Sequence, residues 1–388
     1  MELLAQELLE AIINHVPPTN ARCCSLVARR WRRRSQQRYF SEIMFTREPE
    51  VVRWYTTVPQ DPDGIPSYVH DVEFQSIRCW RDPTLLGRVL KCFSRLKILT
   101  ISETGIPPDE VRKVVSSGEF GRDIISLTFI SPVSTVQTLV SLALSLSNLR
   151  ELMIDSIMRA EPPALTSPDK TWQGGPLESL ELASLWSEEF EFIALCGVTT
   201  HRLDLSVVDM TMEKIIACSS ETIRELMFQG TCFLWNCFYG AMLTSSPDLD
   251  PHIGPVNAFP PIVHLPPLPV ITSVKLEIRS GTLSPRLADV LSCIRSVPAL
   301  SSVTFKYPKM SGVEVIHASS QWIDVDESLT RLAMEVRSKR SLVVVLTPWP
   351  EGNSSWEVYL PEFRRAGGEL RVSPDADVQG LISGGIEP

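Results

Sequence analysis

Leu149-Arg150-Glu151-Leu152-Met153-Ile154-Asp155 and, 28 residues later, Leu177-Glu178-Ser179-Leu180-Glu181-Leu182-Ala183 follow one template: an apolar residue with two more at +3 and +5. The template recurs as Val69/Val72/Phe74, Leu96/Leu99/Ile101, Ile124/Leu127/Phe129, Ile223/Leu226/Phe228, Ile271/Val274/Leu276 and Leu300/Val303/Phe305, with a weaker Thr200/Leu203/Leu205. Between middle residues the steps are 27, 28, 25, 28, 23, 23, 48 and 29. A period of this length marks a repeat architecture in which each unit covers its neighbour. The last two apolar positions are two apart, so they share one side of a strand and the residues between them point away.

Working outward, helical spacings lie between the templates, as in Leu85-Leu86-Val89-Leu90-Phe93, Val136-Leu139-Val140-Ala143-Leu146 and Leu287-Val290-Leu291-Ile294. One strand and one helix per repeat predict an α/β solenoid with a curved parallel sheet over residues 47–372. The step of 48 contains an insertion at 245–270 with eight prolines, which predicts a surface loop; a ligand for a proline-reading domain is the lesser alternative. After residue 306 the phase is lost, although Leu342–Leu346 reads as one more buried strand and 361–366 as a short helix. Residues 373–388, rich in Gly, Asp and Pro, are expected to be a flexible tail.

The first 46 residues have a different character. Leu4, Leu8, Leu9, Ile12, Ile13 and Val16 give a helix with a wide apolar face, ended by Pro17-Pro18. Thr19 or Asn20 can cap a second helix with Cys24 and Val27 inward, and a third carries Trp31 and ends near Tyr39-Phe40. Seven Arg against four Glu give this head +3, which leaves −12 of the total −9 for the body. Acidity on that scale argues against nucleic acid as the main partner, so the cluster Arg29-Arg30-Trp31-Arg32-Arg33-Arg34 is read as a solvated face or one matching an acidic protein.

The runs Leu4-x-x-Glu7-Leu8-Leu9-x-x-Ile12-Ile13, Arg22-Cys23-Cys24-Ser25-Leu26-Val27-Ala28-Arg29-Arg30-Trp31 and Phe40-Ser41-Glu42-Ile43 resemble an F-box over residues 1–46. Ala5 stands where that family has proline. The body resembles leucine-rich repeats, with Thr104, Ile157, Leu185 and Thr231 where those repeats carry Asn or Cys. The resemblance implies a three-helix module that docks on a Skp-type adaptor, and through it on a cullin, in an SCF-type ubiquitin ligase. Leu4, Leu8, Leu9, Ile12, Val27 and Trp31 would divide between module core and adaptor contact. The solenoid would hold an unknown protein substrate. The alternative is a non-catalytic leucine-rich-repeat interaction scaffold whose helical head merely caps the array.

Side chains that carry chemistry are scattered. Nine cysteines, an odd count with no Cys-x-x-Cys, predict neither a disulfide framework nor a zinc module but reduced, buried small residues. Six histidines stand without a second ligand at metal spacing, and Glu188-Glu189-x-Glu191 reads as a surface charge run. No enzyme, cofactor, metal or membrane association is therefore expected, and a cytoplasmic or nuclear protein is. If the template residues face the core, Glu151, Asp155, Glu181, Asp204 and Glu225 line the concave face against one Arg, Arg202, an acidic candidate surface for a basic target.

Overall fold

A computed structural model describes residues 6–27, 29–59, 64–107, 113, 121–158, 168, 171–185, 187–206, 212–229, 265–277, 291–292, 294, 297–306, 319–336, 341–347 and 360–372. The chain forms two compact units, Met1–Gly174 and Gly175–Pro388.

The first unit begins with three helices, α1 (Gln6–His15), α2 (Pro18–Val27) and α3 (Arg29–Tyr39). The Pro17 carbonyl accepts from the amides of Asn20 and Ala21, so the second helix is capped at Pro17, two or three residues before the expected Thr19 or Asn20. Strand β1 (Glu42–Phe45) follows, then α4 (Glu48–Thr57), β2 (Asp71–Gln75), α5 (Thr84–Cys92), β3 (Ile98–Ser102), β4 (Ser126–Ile130), α6 (Val136–Leu144) and β5 (Glu151–Asp155). These strands pair in parallel in chain order, with Val72, Leu99, Leu127 and Leu152 in one register row and Phe45, Phe74, Ile101, Phe129 and Ile154 in the next. Every residue of both rows is buried. The template thus supplies the core face of each strand. Phe45 stacks on Phe74 at a centroid distance of 5.4 Å, so β1 is a full member of the array and ties the helical head to it.

The second unit holds β6 (Leu177–Ala183), α7 (Ser187–Leu195), β7 (Thr200–Leu205), α8 (Met212–Cys218), β8 (Glu225–Gln229), β9 (Ser273–Glu277) and β10 (Ser302–Lys306). It ends with α9 (Ser319–Glu335), β11 (Val343–Thr347), α10 (Pro361–Arg365) and β12 (Glu369–Val372). Leu180, Leu203, Leu226, Val274, Val303, Val344 and Leu370 form its register row, again all parallel. β8 pairs directly with β9 across the long step, so the repeat resumes at Ile271 as the spacing predicts. Most of the proline-rich insertion lies outside the described residues, but Leu265 and Leu268 at its end are buried, so that part belongs to the core and not to a surface loop. The expected tail, 373–388, lies outside the described residues too.

Repeats are joined by more than strands. Ser76, Glu103, Ser131, Ser156 and Ser184, each just past its strand, adopt left-handed backbone with φ between 38 and 60°. That conformation disfavours side chains other than Gly, Asn and Asp, yet the turned-back amides of Ser76, Glu103 and Ser131 reach the next repeat's carbonyls at Ser102, Ile130 and Asp155. Thr104 is buried and does similar stitching: its Oγ1 accepts from the Ile77 amide and lies 2.8 Å from the Ser102 carbonyl and 3.1 Å from that of Phe74. A second short parallel ladder links Gly105, Val133 and Met158 beyond these turns. No described helix is long and apolar enough to cross a membrane.

Candidate interaction surfaces

In the head, Leu9 and Ile13 are each 1% exposed and, with Ala21, form its core. On a helix a residue one position earlier is rotated by about 100°, and Leu8 and Ile12 accordingly emerge on the flank, 55% and 44% exposed. Val27, expected to face inward, is 66% exposed, because the neighbouring Leu26 and Val27 at the end of α2 both turn to solvent; Leu26 is 83% exposed. Trp31 is only partly buried and Leu4 lies outside the described residues. The five described residues assigned to the adaptor contact therefore separate into a core residue, Leu9, a partly buried Trp31, and an exposed set of Leu8, Ile12 and Val27. Leu26 joins that set.

Covering an exposed side chain of this kind returns about 1.5–3 kcal/mol at full burial. Four such groups on a head of three short helices are a substantial unpaid surface.

The outward face of the strands is the second candidate. In the second unit its charge differs from the expectation. Glu225 is held by Lys275 at 2.5 Å and Arg202 at 3.8 Å, from the strands on either side of it. Lys275 was invisible to the sequence argument because it lies across the long step. Asp204 is 2% exposed, so it does not offer its carboxylate to a partner; Glu181 beside it in register is partly exposed. In the first unit the outward face keeps its acidity and has more of it. Glu151 and Asp155 are joined on that face by Glu42, Asp71 and Glu73, and Asp71 lies opposite Glu42 in the ladder. Burial, with Glu42 and Glu73 close by, pushes the Asp71 carboxyl above the usual range.

Two of the isolated histidines have structural partners. His70 Nδ1 meets the Arg95 carbonyl at 3.0 Å, and His201 Nδ1 meets the Thr222 carbonyl at 3.1 Å, each reaching from one repeat to the next. A carbonyl partner requires the proton on Nδ1. Cys196, near His201 in sequence, is buried and its thiol is pushed up to about 12 by burial, which removes it as a nucleophile. The other described cysteines are not buried as expected: Cys23, Cys79 and Cys218 are exposed, and Cys24 and Cys92 are partly so. The run 188–191 is likewise no simple surface segment. It forms the first turns of α7, where Glu189 is buried and Glu191 pairs with Lys214. Among the described residues no group of three or more His, Cys, Asp or Glu side chains could hold a metal ion.

No model of a known protein family matches the chain, and no curated protein is similar to it.

Proposed function

We propose that this protein is the substrate-recognition subunit of an SCF-type ubiquitin ligase, with α1 and α2 docking on a Skp-type adaptor and the outward strand faces holding the target. The observation that carries the reading is the exposed apolar set Leu8, Ile12, Leu26 and Val27 on a head whose sequence resembles an F-box. A head serving only as an end cover has no reason to expose these groups on helices whose core is already filled by Leu9, Ile13 and Ala21. The repeats supply what a receptor needs, successive strands presenting side chains on an open face. In the first unit that face is acidic and suits a basic target segment, which Glu42, Asp71, Glu73, Glu151 and Asp155 would meet. Such a receptor works in the cytoplasm or nucleus, where adaptor and cullin are found.

A second reading, an interaction scaffold without a link to ubiquitin transfer, draws support from β1, through which the head closes onto the first edge of the sheet. Co-purification of the full chain with a Skp-type adaptor separates the two. The receptor reading expects a stoichiometric complex that Leu8→Asp with Val27→Asp removes while the thermal melt stays unchanged, since both side chains are exposed. Absence of any complex with the wild-type chain would leave the scaffold. A complex that survives the double substitution would move the docking site elsewhere.

A further inference from the structure

The docking head carries charge that its own helices do not neutralise. α3 reads Arg29-Arg30-Trp31-Arg32-Arg33-Arg34-Ser35-Gln36-Gln37-Arg38-Tyr39, without an acidic residue. Two of its arginines are used within the head. Arg34 donates to the Asn14 side chain at 3.0 and 2.6 Å and to Gln37, while Arg38 donates to the Val16 carbonyl at 3.2 Å and pairs with Glu42 at 3.4 Å. At about 100° per residue, Arg29, Arg32 and Arg33 fall within one arc of roughly 100°, and Arg34 and Arg38 lie round the other side. All three of the first group are exposed.

These positions work against the helix that bears them. Like charges three and four residues apart repel on a helix surface. That placement does not serve stability. What adjoins them in the chain is informative: Leu26 and Val27, the most exposed apolar side chains of the head, precede Arg29 by three and two residues. An exposed apolar pair and an exposed cationic set thus share the stretch 26–33.

We propose that the partner surface receiving the head is an apolar pocket bordered by carboxylates: the pocket takes Leu26 and Val27, and the carboxylates meet Arg29, Arg32 and Arg33. The inference rests on the adaptor reading and specifies its chemistry. Nucleic acid would satisfy the guanidinium groups but has no use for the exposed leucine and valine, and the body's charge of −12 opposes it. Charge at the rim of an apolar contact acts mainly on encounter, so its signature is kinetic.

The test is association of the full chain with a purified Skp-type adaptor at low and physiological salt. The combined Arg29→Gln, Arg32→Gln, Arg33→Gln variant is expected to bind about tenfold more slowly at low salt, with a flatter salt dependence and an unchanged dissociation rate. Leu26→Asp with Val27→Asp is expected to form no complex. If the wild type binds and the arginine variant keeps its on-rate and salt dependence, the bordered pocket is wrong and the adaptor reading stands. A wild-type chain that does not bind overturns both. The same variants are run against a duplex oligonucleotide and by sizing. An arginine variant that loses oligonucleotide binding or self-association, with adaptor kinetics unchanged, assigns the face to nucleic acid or to a second copy and overturns the proposal.

Discussion

Removing one hydroxyl, by Thr104→Val, tests how the repeats are stitched. Thr104 is fully buried in the turn after β3, and Oγ1 serves both that turn and the one before it, through Ile77 and Phe74. Valine fills the same space and offers neither donor nor acceptor. The Ile77 amide, in a buried residue, loses its 3.2 Å acceptor, and the one hydroxyl proton that the carbonyls of Ser102 and Phe74 share is gone. Leaving a buried backbone group without a partner costs about 1–3 kcal/mol. Thr104→Ser keeps the hydroxyl and removes one methyl, about 1 kcal/mol. The two substitutions therefore separate hydrogen bonding from packing. In native-state hydrogen exchange the Ile77 amide should exchange about 5- to 150-fold faster in the valine variant, the factor equivalent to 1–3 kcal/mol, while the serine variant stays near wild type at that amide. If the valine variant unfolds at the wild-type urea concentration and its Ile77 amide is equally protected, the hydroxyl holds nothing, and packing of the template residues alone sets the turn.

Three further outcomes are expected. A β-carbon at Gly105 would collide with the Arg78 carbonyl, so Gly105→Ala should cost about 1–3 kcal/mol, read as a lower thermal midpoint. Lys275 neutralises Glu225 across the β8–β9 ladder; Lys275→Met should cost up to about 1 kcal/mol and Lys275→Glu more, with the difference between the two shrinking at high salt in urea titrations. The Asp71 carboxyl is raised in the folded state, so the native protein holds that proton more tightly than the unfolded chain, and stability falls as pH rises from the unfolded value through the folded one. Asp71→Asn should therefore have a higher urea midpoint than wild type at neutral pH, an advantage that vanishes in acid below the unfolded carboxyl range; an equal midpoint at neutral pH would show that the neighbouring carboxylates do not strain the fold.

The core was legible because its signal is local. Two apolar residues two apart, preceded by one three back, name a strand face without knowledge of any other strand, and in all nine templates the last two positions lie in strands and are buried. β1 was not seen, although Phe40, Ile43 and Phe45 fit the template, because that run falls where the head reads as the end of a helical module. α9 was legible in principle, since Trp322, Val325, Leu329 and Leu332 follow helical spacing and are buried, but it interrupts the strand rhythm that guided the reading. Surfaces were less legible. The alternation of a strand says which residues point outward; it does not say that Asp204 is covered or that Glu225 meets a lysine 50 residues away. Similarly, an apolar pattern on α2 gives a face for Val27, while the choice between core and solvent depends on which helix lies against it.

Within each unit the spatial order of the strands is their order along the chain. Each strand as it leaves the ribosome finds its partner already made, and none must wait for a later one. The contacts to be closed are short in sequence, which favours fast, progressive assembly from an existing edge. Even the step of 48 residues between Leu226 and Val274 adds little, since doubling a loop costs only about 0.6 kcal/mol in closure entropy. Growth at one end, with every intermediate a shorter version of the finished array, is the biosynthetic meaning of a parallel sheet whose strands follow chain order.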